Sequence, residues 1–249
     1  MSLFRKFVKN AFSAAGFSIT KIPKNKISHS VTPENKPTVD DLQFKWIRDT
    51  GFKTVIDIGA NIGQFALRIR DILPDALIYS FEPLPQVYDQ LLHNFRSDPL
   101  FKGYNFALGT SVEESIIYLN EYSPSSSILK MGNEHKAHFD YAIKETPVTI
   151  KITRLDDIFS DLDLEGPILI KIDVQGFENQ VIDGGLEVLN KCKMIIIEVS
   201  FKQLYQDQPV FDEIYQKLKS IGFEYSGNYE QLLSPKDGEI LQADAIFIK

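Results

Sequence analysis

From residue 54 to residue 248 short, β-branched apolar runs alternate with single stretches of helical period, and this alternation limits the fold more than any other feature of the chain. Thr54-Val-Ile-Asp-Ile58 is too short for a helix and nearly continuous in apolar residues, the pattern of a strand buried on both faces. Residues 63–73 follow as a helix with Phe65, Ala66, Ile69 and Leu73 inward and Pro74 closing it. Residues 76–81 read as a second strand, 85–95 as a helix striped by Val87, Leu91 and Leu92, and 104–108 as the end of a third strand. The pattern resumes with a strand at 167–172, a helix at 177–189, a strand at 193–199 and a helix at 209–221, with Pro209 near its start and Gly222 past its end. Residues 223–225 and 245–248 are two more strand candidates. Strands joined by single helices need crossover connections, so the chain predicts an α/β fold with a mainly parallel, Rossmann-like sheet and helices on both faces.

Residues 109–166 interrupt the rhythm. Residues 115–119 and 147–152 read as strands, the second with Val148, Ile150 and Ile152 alternating, and a polar segment from Ser123 through His138 lies between them. So long an irregular stretch inside a compact domain is usually functional, and a β-hairpin-bearing insertion (about 110–166) over the ligand face is expected. Ahead of the domain, residues 38–41 resemble a capping box, with Leu42, Trp46 and Ile47 as the inner face of a short helix that Gly51 ends. The expected division is therefore an arm and linker over 1–37 and one domain over 38–249.

Composition excludes several classes. The hydrophobic share of 43% is that of a folded protein, and the one cysteine, Cys192, forbids an internal disulfide and fits a reducing, cytoplasmic setting. The net charge of −7 hides an asymmetry: Arg5, Lys6, Lys9, Lys21, Lys24 and Lys26 precede the first acid, Glu34, leaving 21 basic against 34 acidic residues, a net −13, beyond them. Such a body speaks against nucleic acid as a partner. In the arm, Leu3, Phe4, Phe7, Val8, Ala11, Phe12 and Ala15 recur at helical spacing with Arg5, Lys6 and Lys9 opposite. This pattern suits peripheral contact with an anionic membrane, the inner face of the cell membrane included, and equally a helix packed on protein. Residues 23–37, with Pro23, Pro33 and Pro37, read as the linker.

In an open parallel sheet, ligands bind beyond the carboxyl ends of the strands. Asp57-Ile-Gly-Ala-Asn-Ile-Gly63 falls there, between a strand and a helix. Gly59 permits unusual backbone angles and close approach of a ligand, Asn61 tolerates the left-handed region, and Asp57 can bind loop amides or a ligand ammonium. Glu82 ends the next strand, where a carboxylate can accept both hydroxyls of a ribose. The loop lacks a third glycine at dinucleotide spacing and a Gly-Lys-Ser/Thr sequence, which disfavours phosphate binding.

These segments also carry a resemblance. Val55-Ile-Asp-Ile-Gly-Ala-Asn-Ile-Gly-Gln64, Ser80-Phe-Glu-Pro83, Asn105-Phe-Ala-Leu-Gly109, Arg154-Leu-Asp-Asp157, Lys171-Ile-Asp-Val-Gln-Gly-Phe-Glu178, Ile196-Ile-Glu198 and Asp244-Ala-Ile-Phe247 follow one another as in the FkbM family of S-adenosylmethionine-dependent methyltransferases, which the chain resembles over residues 53–248. The resemblance implies a class I methyltransferase sheet, S-adenosylmethionine as donor and O-methylation of a sugar, glycan or small-molecule hydroxyl. Carried over by residue, Gly59, Ala60, Asn61, Gly63 and Gln64 meet the methionine part, Glu82 and Pro83 the ribose, and Asn105, Phe106, Ala107 and Leu108 the adenine. Asp173 and Gln175 stand beside the sulfonium and the acceptor. Gln175 departs from the glutamate common at that place in the family, which weakens any carboxylate role there.

Methyl transfer to a neutral hydroxyl needs alignment of oxygen, methyl and sulfur, and a base for the hydroxyl proton. Asp173, at the end of a buried strand, is the first candidate base, and an N-cap is its bland alternative. Glu198, on the neighbouring strand end, is the second, and Glu178 suits holding the loop. His135 and His138, three apart in the insertion, offer a further base or a metal ligand, but no matching third and fourth ligands are spaced with them, so no metal is assigned. Ser125, Ser126 and Ser127 suit either a polyol contact or a plain loop, and Tyr122 and Tyr141 either sugar stacking or packing. The run Asp156, Asp157, Asp161, Asp163 and Glu165 reads as a solvated face in which Asp156 can anchor the insertion. Two other readings stand beside the methyltransferase: a nicotinamide-dinucleotide-dependent oxidoreductase, and a non-enzymatic module held to a membrane by the arm.

Overall fold

The computed structural model describes residues 44–120, 145–205 and 207–249. A short helix α1 (Lys45–Thr50) ends at Gly51, whose left-handed backbone closes it, as the sequence indicates. The units that follow are β1 (Thr54–Ile58), α2 (Gln64–Ile72), β2 (Leu77–Phe81), α3 (Pro85–Asn94) and β3 (Phe101–Tyr104). The interruption holds β4 (Ala107–Leu108), β5 (Glu113–Asn120), β6 (Glu145–Thr153) and a 3-10 turn (Asp156–Asp161). Then come β7 (Ile168–Ile172), α4 (Glu178–Gly184), α5 (Leu186–Lys191), β8 (Met194–Ser200), α6 (Phe211–Ser220), β9 (Glu224–Leu233) and β10 (Ile240–Ile248).

The main sheet has seven strands in the order β3-β2-β1-β7-β8-β10-β9. The pairs β1/β2, β1/β7, β2/β3 and β7/β8 are parallel, while β10 runs antiparallel to both β8 and β9. Strand period separates the core into two layers. Ile56, Ile58, Ile170, Ile172, Ile195 and Ile197 pack toward α4, α5 and α6 through Val181, Leu189, Ile214 and Leu218. Val55, Ile78, Leu169, Met194, Ile196 and Ile246 pack toward α1, α2 and α3 through Ile47, Ile69, Leu91 and Phe95. The expected mainly parallel sheet with helices on both faces is therefore present.

Three local readings differ from the structure. The third strand ends at Tyr104, and Ala107–Leu108 belongs instead to a second, three-stranded sheet, parallel to β6. The helix expected over 177–189 is two helices that meet at Gly185, because Gly184 lies against the backbone of Gly109 and the chain turns there. The terminal hairpin strands are far longer than their apolar centres, because β9 is mostly exposed and its pattern is polar.

The insertion strands do form a hairpin, β5 against β6 in antiparallel register from Glu113/Ile152 to Asn120/Glu145. Ile117, Ile150 and Ile152 pack on Leu84 and Val87 of the α3 start, with Ile62 and Phe177 beside them. Those last two residues belong to the loops after β1 and β7, so the second sheet rests on the ligand end of the first. Asp156 accepts hydrogen bonds from the Glu187 and Val188 amides at 3.1–3.2 Å, tying the segment after β6 to the start of α5. The arm and linker, the 38–41 cap, Leu42, Tyr122, Ser125 to Ser127, His135, His138 and Tyr141 lie outside the described residues.

A β-carbon at Gly184 would lie 1.8 Å from the Gly109 carbonyl oxygen, backbone against backbone. Gly184→Ala is expected to destabilise the protein by about 1–3 kcal/mol through forced displacement, read as a fall in Tm of several degrees. An unchanged Tm would show that α4 is free to move off β4.

Candidate functional site

The same alternation that layers the core assembles the site. Asp57 lies two residues beyond Val55 on β1, Lys171 follows Leu169 on β7 with Asp173 just past the strand's end, Glu198 follows Ile196 on β8, and Asp244 precedes Ile246 on β10. Each shares its face with an apolar residue of the α1–α3 layer. The ladders bring them side by side: Asp57 is level with Lys171, and Asp244 with Glu198. The result is an acidic row near the carboxyl ends of the central strands with one lysine at its middle.

The Lys171 ammonium is 2.8 Å from Asp173 Oδ2 and 3.8 Å from Asp244 Oδ1, with the Phe65 ring of α2 at 5.7 Å. Burial pulls this amine down, but Asp173 and Asp244 outweigh it and hold Lys171 above the ordinary lysine value. Burial also works against the charge on Asp173, whose carboxyl Lys171 and the Gln175 amide nevertheless hold below its ordinary value. The Asp173 side chain is 32% exposed, so this carboxylate is open to a ligand. Burial pushes Asp244 to about 6 against the pull of Lys171. Glu198 is pushed well above the usual range by burial and by the neighbouring Asp173 and Glu178.

Asp57 is 1% exposed and its Oδ2 has no hydrogen-bond partner, while burial raises it to about 7 against Lys171. It lies beneath the glycine loop, with one carboxyl oxygen left without a partner among the described residues. Above it, Gly59, Asn61 and Gly63 all take left-handed backbone angles (φ 80°, 52° and 91°). A β-carbon on Gly59 would stand 1.8 Å from the Asp173 carbonyl oxygen, so only glycine lets the loop cross the end of β7. The Gly59 and Ala60 amides donate to the Phe81 carbonyl at 3.0 Å. Ala60 and Gly63 are buried, and Gln64 is exposed at the start of α2.

Glu82 binds the loop directly. Its Oε2 accepts from the Asn61 amide at 3.0 Å and its Oε1 from the Leu84 amide at 2.9 Å. Each oxygen retains a further lone pair for a ligand hydroxyl. Burial raises this carboxyl to about 7, against the two amides. The Asn105 amide donates to the carbonyls of Glu82 and Pro83 at 2.9 and 3.1 Å, so it fixes the Glu82 backbone. Phe106 stays half-buried near Phe81 and Tyr104, whereas Ala107 and Leu108 are turned into the packed interior. Of the four residues expected along an adenine, Phe106 and Asn105 are the ones that keep exposed surface.

In the loop after β7, Glu178 Oε1 accepts from the Gly176 and Val174 amides at 3.0 and 3.3 Å, so it holds the loop, as the sequence indicated. Burial raises it to about 7. Lys171 and Asp244 lie within the sequence motifs but have no part assigned there, and no motif singles out Tyr205. The first two were findable from strand period alone. Tyr205 lies outside any regular element and offers no such signal.

No helix among the described residues is long and apolar enough to cross a membrane. Sheet order, the single antiparallel β10 and a glycine loop at the end of the central β1 define a class I methyltransferase fold. The chain belongs to the FkbM methyltransferase family: the Methyltransferase FkbM domain matches residues 57–225. The methyl donor of this class is S-adenosylmethionine. Similar proteins include the 2-O-methyltransferase NoeI of Sinorhizobium fredii, 32% identical over 163 residues, 62% of this chain and 66% of that protein. The hexuronic acid methyltransferase AglP of Haloferax volcanii is 27% identical over 143 residues, 57% of this chain and 54% of that protein. The matched stretch thus spans at most about two thirds of these relatives. Methyltransferase FkbM from Methylobacillus flagellatus shares the fold with a TM-score of 0.51 at 14% identity, over 80% of this chain and 44% of that one.

Asp57, Glu82 and Glu178 all stand near 7 in the fold, against about 4 in an unfolded chain. Between these values the folded protein binds more protons than the unfolded one, so stability falls as pH rises through about 4 to 7. Melts of the unliganded protein should show Tm dropping from about pH 5 to about pH 8, and Glu178→Gln, which keeps the accepting oxygen, should flatten the slope. A Tm that rises across this range would contradict the assignment.

Proposed function

We propose that this protein is an S-adenosylmethionine-dependent O-methyltransferase acting on a hydroxyl of a sugar, glycan or related small molecule. The observation that carries the reading is Asp173: a partly open carboxyl 2.8 Å from Lys171, just past the end of β7 where the glycine loop packs on its backbone. Two relatives are named for a 2-O-methyltransferase and for a hexuronic acid methyltransferase, which supports a sugar-like acceptor.

The residues present fit the donor. The left-handed turns at Gly59, Asn61 and Gly63 open the main chain to close approach, and Glu82 keeps a lone pair on each oxygen for a pair of ribose hydroxyls. Phe106 offers a half-buried ring for the adenine. When bound, S-adenosylmethionine supplies a methyl group on a positively charged sulfonium. The acidic row would favour that charge, and Asp173 would take the proton of the acceptor hydroxyl. Lys171 holds Asp173 in its basic form between turnovers.

Calorimetry with S-adenosylmethionine, its demethylated product and a nicotinamide dinucleotide tests the reading, followed by labelled-methyl transfer to a panel of glycans and lipid-linked sugars. Binding of the first two and not the third is expected, with Glu82→Ala weakening it by about tenfold or more. Asp173→Asn should keep donor binding and lose about 100-fold or more in turnover. Dinucleotide binding, or near-normal turnover of Asp173→Asn, would overturn it.

For the arm, the helical spacing and six basic residues before Glu34 support contact with an anionic membrane surface. The full chain is expected to co-sediment with anionic vesicles and a chain lacking residues 1–37 to stay in solution. Equal partition of both would remove the membrane role.

A further inference from the structure

Gln175 has a left-handed backbone (φ 54°), uncommon for a residue with a side chain, and Gly176 beside it has φ 103°. Glu178 clamps this turn through the Gly176 and Val174 amides. Such strain persists where the surrounding structure enforces it, and it gathers at functional sites. Here the turn delivers one carboxamide between two acids. Gln175 Nε2 donates to Asp173 Oδ1 at 2.9 Å and to Glu198 Oε2 at 2.9 Å, which uses both of its hydrogens. Its Oε1 accepts from the Tyr205 hydroxyl at 2.9 Å. The Asp173 carboxylate, which only accepts, fixes which end of the amide is which, and the Tyr205 hydroxyl donates to the oxygen at the other end.

We propose that Gln175 is a positioning residue whose amide joins Asp173 and Glu198 into one unit, with Asp173 as the carboxylate and Glu198 as the neutral acid. The assignment of what it positions rests on the methyl-transfer reading above. The asymmetry comes from where the cation stands. Lys171 is 2.8 Å from Asp173 and reaches Asp244 on its other side at 3.8 Å. Glu198 meets Asp244 across the β8/β10 ladder, Asp173 through the amide, Glu178 from α4 and the Tyr205 side chain; among the described residues it makes no ion pair, and Lys171 acts on it only from farther off, too weakly to offset burial and the acids. Asp57 completes the set on the β1 side of Lys171. Adjacent acids in a partly dry site do not both ionise at neutral pH, and the one beside the ammonium keeps the charge. Burial and the nearby Asp173 and Glu178 push the Glu198 carboxyl in the same direction. An amide at 175 serves both partners as a donor; a carboxylate there would be a third acid in contact with the pair.

Carbon-13 carboxyl NMR of protein labelled at aspartate and glutamate reads this without acceptor or donor, with the signals assigned by their loss in Asp173→Asn and Glu198→Gln. At pH 7, Glu198 is expected at the protonated position and Asp173 at the ionised one. Gln175→Met removes the donor and Gln175→Glu adds an acid, so each should move the Asp173 midpoint upward, the glutamate variant by about one pH unit or more. With an accepted substrate, the acid limb of the rate profile should move with it. An ionised Glu198 at pH 7, or an Asp173 midpoint unmoved in both variants, would overturn the proposal. Failure to bind S-adenosylmethionine with the titrations as expected would instead overturn the methyl-transfer reading and leave the joined pair standing.

Discussion

A buried ammonium has to be matched by negative charge close by, and Lys171 is matched from three strands at once. Asp57 stands level with it on β1, Asp173 follows it on β7 and Asp244 reaches it from β10. The parallel ladders fix these positions, because a slip of one residue in any strand would swap its acid for an apolar side chain from the opposite face. The pairing of lysine and acids is therefore also a statement about register. The same charge decides which of the acids at the ligand end is ionised, and so links the architecture of the sheet to the chemistry above it.

The loops at the ligand end are held by side chains that act on backbone. Glu82 receives amides from Asn61 and Leu84, Glu178 those of Val174 and Gly176, and the Asn94 and Asn105 amides bind the carbonyls of Ile62, Glu82 and Pro83. Each tie satisfies polar groups that a buried turn would otherwise leave unmet. The loops are consequently shaped before any ligand arrives, and ordering them adds little to the free-energy cost of binding.

Strand period and helix period made most of the architecture readable in the sequence. Runs such as Ile168–Ile172 announce buried strands, and the acids at their ends mark the ligand side. What escaped was set by contacts between distant segments. The break between α4 and α5 depends on the backbone of Gly109 pressing on Gly184, which no local pattern records. Ala107–Leu108 leaves the third strand because β6 offers it a partner. Asp57 precedes a glycine loop in the sequence, but how deeply it is buried depends on packing that the sequence does not record. Gln175 departs from the glutamate common at that place in the family, and its amide is suited to standing between two acids.

The place of β10 has a consequence for how the site comes into being. β10 follows β9 in the chain, yet it lies between β9 and β8, and it is the strand that joins β9 to the rest of the sheet. Asp244 rides on it. β1, β2, β3, β7 and β8 carry the glycine loop, Glu82 and Lys171, whereas one counter-ion of that lysine comes from β10. The charge balance around Lys171 is therefore complete only with the terminal hairpin in place, which ties the ionisation of the site to the docking of that hairpin.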